Sequence, residues 1–169
     1  MNRITIYILI ALVCSPVLSF GDTLTRQSLF KIERSKNANI IQYDVQLGPD
    51  GKLHAKEPVV GYWIRLAEQG QAQELSWVQR KFAFGFKATY NKAEDSVVLD
   101  MVADLGRLIT VIRTDDGYKG TINISGTLAY LDTIYINSSG KGLSVEINYI
   151  ELFGKDVNNN EDRHERFEP

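Results

Sequence analysis

The sequence predicts a mainly β protein: an antiparallel β-sandwich or flattened barrel of about eight to nine strands, with one short helix around residues 72–82. Three observations predict it. Apolar and polar residues alternate with a period of two over most of the chain from Leu29 onward, which gives each strand one wet and one buried face. Asn, Asp and Gly cluster between the alternating segments, where tight turns and positive φ need them. Helical spacing stands out in a single place.

The first strand is read over Leu29–Arg34, and the second over Ile41–Leu47, where Ile41, Tyr43, Val45 and Leu47 alternate with Gln42, Asp44 and Gln46. Val59–Leu66 follows, with Tyr62, Ile64 and Leu66 taken as its apolar face and Trp63 and Arg65 opposite. In 72–82, Leu75, Val78 and Phe82 recur at helical spacing and place Trp77 off that stripe, beside Glu74 and Lys81. Such a tryptophan either packs under a loop or marks a contact surface. Period two returns in Phe84–Tyr90, and Gly85 within it signals a bulge or a close backbone approach. Ser96–Val102, Leu108–Thr114, Tyr118–Ser125, Leu131–Ile136 and Leu143–Tyr149 complete the strands. Such clean alternation suits antiparallel pairing. From Asp156 the chain is polar and charged, and 156–169 is expected to be a frayed or disordered tail.

Ahead of the domain, Arg3 is the only charge before Asp22; Ile4 to Val13 is apolar, Pro16 breaks the run, and Ser19 and Gly21 are small. This pattern reads as a secretory signal over 1–21, cleaved after Gly21, with Ser19 as the other choice. The run falls short of the ~20 residues that span a bilayer. Lipidation at Cys14 is disfavoured, because Val13 is large for the preceding position and Pro16–Phe20 continues the apolar segment. The expected location is therefore exported, periplasmic or secreted, with a single β-rich domain over 22–155.

The exported part has no cysteine, so disulfides, thiolate metal sites and thiol catalysis are excluded. Without Arg3, 18 basic residues face 21 acidic ones, a net charge of −3. That balance argues against a nucleic-acid partner, and no later apolar run is long enough to span a membrane.

Catalytic signals are sparse. His54 and His164 lie outside strongly ordered stretches, and no Gly-x-Ser-x-Gly elbow is present, which disfavours a serine triad and a catalytic zinc. Asp156, Asn158 and Asn160 imitate a calcium loop, but its sixth and twelfth positions hold Glu161 and Phe167 instead of Gly and Glu. No metal or cofactor is expected. Glu33, Glu146 and Glu151 lie in expected strands, and two of them converging would make an acid–base pair. The more suggestive group is Arg34, Trp63, Arg65, Trp77 and Arg80, because arginine beside tryptophan grips anionic or planar groups by forked hydrogen bonds and stacking. An Arg–Glu pair sealing a sheet edge accounts for the same residues.

The segments Leu29–Ile41, Pro58–Leu66 and Glu74–Gly85, with Ile134–Ile136 and Tyr149–Gly154, together resemble a bacterial family of exported proteins known as domain of unknown function 4833. The resemblance covers almost the whole exported chain to Lys155 and departs in the tail, where Asn158-Asn159-Asn160 stand in place of an expected glycine turn. It implies compartment and domain extent, but no mechanism and no site residues.

The function expected is a non-catalytic binding or interaction module, its partner a protein, a glycan or a small anionic ligand. The alternatives are a carrier with an apolar barrel interior and a carboxylate-based hydrolase. Exposed aromatics on a convex surface favour contact, a large closed apolar cavity favours a carrier, and facing carboxylates in a cleft favour an enzyme.

Overall fold

The computed structural model describes residues 24–103, 105–140 and 145–169. The signal segment with Cys14, and the expected strand start at Leu143, lie outside these residues. Among the described residues there are eleven strands: β1 Thr25–Arg34, β2 Asn37–Leu47, β3 Val59–Arg65, β4 Gln71–Glu74, β5 Phe86–Asn91, β6 Ser96–Met101, β7 Ile109–Thr114, β8 Gly117–Ile124, β9 Thr127–Ser139, β10 Glu146–Asp156 and β11 Asp162–Phe167. They form one curled sheet in the order β4-β3-β2-β1-β9-β8-β7-β6-β5, with β10 and then β11 added on the other edge of β9.

The sheet is mixed, which corrects the purely antiparallel expectation. β1 runs parallel to β9, from Lys31 beside Thr133 to Arg34 beside Ile136, whereas β8 pairs antiparallel with the start of β9. Short connections impose antiparallel neighbours. β1 and β9 are separated by seven intervening strands, so their direction is set by how the sheet closes, which no local pattern records.

Side chains complete the curl. Tyr43 on β2 stacks on Phe30 at 4.7 Å and meets Phe86 of β5 edge-on at 6.0 Å. Its hydroxyl donates to the Phe84 carbonyl at 2.7 Å, so the one polar group of this buried ring is satisfied. Burial pushes the Tyr43 phenol up. Ile32, Ile41, Leu99, Ile109, Ile122, Ile134, Ile150 and Leu152 are fully buried and supply the surrounding core, each burial being worth about 1.5–3 kcal/mol.

Two further expectations are corrected. On β3 the inner face is Val59, Gly61 and Trp63, not Tyr62, Ile64 and Leu66; Val59 and Trp63 are buried and Leu66 is exposed. The reason is Gly61. A Cβ there would lie 2.9 Å from the Tyr43 ring, so the glycine is a seat for that ring and interrupts the apolar alternation on the buried side. The tail is not frayed. β11 pairs with β10 from Ile150 beside Phe167 to Lys155 beside Asp162. Its inward residues Arg163, Glu165 and Phe167 include two charges, and each has a partner: Arg163 holds Asp156 at 2.7 Å, and Arg107 grips Glu165 by two bonds of 2.8 and 2.9 Å. Asn160 takes the left-handed turn position with φ +59°, doing there what a glycine was expected to do.

Candidate functional site

The expected helix over 72–82 is a smaller object. Gln71–Glu74 is the edge strand β4, and α1 is the single turn Trp77–Gln79, continued by a wide π turn over Arg80–Phe84. Ser76 and Gln79 form a capping box: Gln79 N–H donates to Ser76 Oγ at 3.3 Å, and Ser76 N–H donates to Gln79 Oε1 at 2.8 Å. This satisfies helix-start donors that otherwise lack partners. Gln79 Oε1 also accepts from Trp63 Nε1 at 3.0 Å, which ties the turn to the sheet.

Both ends of this knuckle are anchored in the core. Leu75 is buried against Gly61. Phe84 is buried edge-on to Trp63 at 5.5 Å. Gly85 makes the return possible: a Cβ there would stand 1.9 Å from the Arg80 carbonyl oxygen, so the close backbone approach read from the sequence is present. With Leu75 and Phe84 turned in, the residues between them turn out. Trp77, Val78 and Phe82 are 66%, 57% and 64% exposed. Trp77 and Phe82 meet edge-on at 6.1 Å, and the Lys81 ammonium lies over both rings at 4.9 and 5.2 Å.

The five residues singled out from the sequence fall into four places. Arg34 and Trp63 come together on the inner face, the guanidinium lying 4.6 Å from the Trp63 ring and 5.1 Å from Phe84. Arg34 Nε and Nη2 are buried without a hydrogen-bond acceptor among the described residues, and burial lowers the guanidinium pKa. Arg65 shares a shallow depression with Trp63 and Gln79 but is occupied by Glu68 and by Gln73 at 3.2 Å. Arg80 stands in another cleft with Arg26 and Tyr62, 3.5 Å from Glu74. There burial and the Asp44 hydrogen bond push the Tyr62 phenol up to about 12. Trp77 alone is on the outer surface of the knuckle.

The sequence reading puts Val78 and Phe82 on the buried stripe, whereas both are exposed; Lys81 lies beside the outward Trp77 as expected. The Ser76-x-x-Gln79 spacing was the available signal, because a capping box dates the helix start to Trp77 and leaves too few turns for an apolar stripe.

The carboxylates do not face one another in a cleft. Glu33 and Glu151 lie in one row on either side of Tyr135, two strand spacings or about 10 Å apart, and each has a cation or histidine: Lys31 at 2.7 Å and His164 at 3.2 Å. Glu146 begins β10 beside Ser139.

The curled β-sheet thus carries an outward-facing aromatic knuckle anchored at both ends by buried Leu75 and Phe84. Residues 30–166 match the family described as Domain of unknown function (DUF4833), and the chain belongs to it. No curated protein and no solved structure matches the chain.

Proposed function

We propose that the chain is an exported, non-catalytic interaction module that docks on a protein partner through the knuckle. The observation that carries this reading is the exposure of Trp77, Val78 and Phe82 side by side on a turn whose flanks are locked by Leu75 and Phe84. Leaving three large apolar groups in water costs solubility and hydrophobic free energy. Trp and aromatic anchors on rigid supports are the residues that dominate protein interfaces. Among the described residues no helix is long and apolar enough to cross a membrane, and Arg3 with the apolar run Ile4–Val13 supports export.

In cells, a photo-crosslinking residue at position 78 should give discrete protein adducts, while one at the exposed turn residue Glu94 gives none. Trp77→Ala with Phe82→Ala should abolish the partner's capture and leave the melting temperature within a few degrees. Equal capture by wild type and the double variant refutes the reading. Intact mass of the exported protein should begin at or near Asp22 without an added diacylglyceryl group.

A further inference from the structure

A wide groove of the described surface lies away from the knuckle, along β9, β10 and β11, where β1 leaves the edge of β9 and β8 takes its place. It is an open groove of about 610 Å³, within the ~300–1,000 Å³ range of ligand sites. Its aromatic groups are Tyr130, Phe153 and His164. Phe153 and His164 are opposed across β10 and β11 and stack at 4.6 Å with ring planes 17° apart. Phe153 is 38% exposed.

The charged lining is balanced: Asp116, Asp132 and Asp162 against Lys119, Lys155 and Arg163. Lys155 is held by Asp162 at 2.8 Å and Arg163 by Asp156 at 2.7 Å. A groove with no net charge, in which two of the three cations are already paired, has little to offer a phosphate or a polycation. So many ionised side chains equally oppose an apolar ligand, which would strip their water without replacing it. What the lining matches is a neutral ring with apolar faces and a hydroxyl rim. Aromatic planes cover the C–H faces, carboxylates accept from the hydroxyls, and ammonium groups donate to them. We infer that this groove is a saccharide-binding site for a short neutral oligosaccharide, separate from the knuckle and independent of its partner.

The test uses the purified chain with maltotetraose, cellotetraose and tetraacetylchitotetraose, and with inorganic phosphate as the anionic counterpart, followed by NMR titration and calorimetry. At least one saccharide should bind saturably and shift signals of Tyr130, Phe153 and His164. Phe153→Ala should weaken that binding by at least ~10-fold, or about 1.4 kcal/mol, with an unchanged circular dichroism spectrum. Asp132→Asn, at an exposed position, should weaken it too and serves if Phe153→Ala fails to fold. Trp77→Ala should leave it unchanged, so loss of the knuckle reading leaves this one standing. Absence of saturable binding by all three saccharides up to about 10 mM overturns the inference. So does saturable phosphate binding at the same residues, or saccharide binding insensitive to both groove variants.

Discussion

Gly85→Ala is expected to release the knuckle from the core. The new Cβ would sit 1.9 Å from the Arg80 carbonyl oxygen, whereas real Cβ contacts essentially never fall under 3.0 Å. The turn must therefore open by at least about 1 Å, and the obstacle is backbone, not the end of a flexible side chain. Phe84 is the immediate neighbour, so its ring and carbonyl move with the turn. Partial loss of Phe84 burial costs about 1–2 kcal/mol, and the Tyr43–Phe84 hydrogen bond adds about 1 kcal/mol, giving roughly 2–3 kcal/mol in all. For a domain of this size that lowers the melting temperature by about 5–12 °C. Chemical denaturation followed by tryptophan fluorescence measures it, since Trp63 packs against Phe84. Phe84→Ala supplies the control. Because both changes act on the same packing, the double variant should be less destabilised than the sum of the singles. A Gly85→Ala protein within about 0.5 kcal/mol of wild type, or strict additivity with Phe84→Ala, refutes the reasoning.

Further predictions concern the partly buried charges. Arg34→Met should change stability by less than about 1 kcal/mol, because it keeps the stem between Trp63 and Phe84 and removes a guanidinium with two buried N–H-bearing nitrogens lacking acceptors. Arg34→Ala should cost about 1–3 kcal/mol through lost packing, and urea titration separates the two; equal losses would contradict the packing account. Arg107 holds the Glu165 carboxyl below its ordinary value, with the Ser125 N–H also donating to it. Its folded pKa is depressed, so its contribution is fully present above the unfolded value near 4.5 and is lost as pH falls through the folded value. The urea midpoint of wild type should therefore fall more steeply below about pH 4.5 than that of Arg107→Met; parallel profiles would refute the pairing.

Much of the strand content was legible because alternation is a local consequence of one face meeting water. Ile41, Tyr43 and Val45 are fully buried in β2 as their spacing requires, but Asp44 and Gln46 on its other face are buried too, where Tyr62 and Glu57 supply their hydrogen-bond partners. Legibility failed where a core position was filled by something other than an apolar side chain. Gly61 hid the inner face of β3, and Arg163 and Glu165 hid β11, because their charges are cancelled by Asp156 and Arg107 from elsewhere in the chain. The site group failed for a related reason. Arg34 and Trp63 lie together, but Arg65 and Arg80 each found a nearer carboxylate.

By itself the sequence determined the β class, the positions of most strands and the close approach at Gly85. These depend on periodicity, on sterics at a single residue or on neighbours a few positions away. Only the tertiary structure decided that β1 runs parallel to β9, that Trp77, Val78 and Phe82 face outward, and that Tyr130, Phe153 and His164 share a groove. Each of those depends on which distant strands meet when the sheet curls, and on burial shared among residues far apart in the chain.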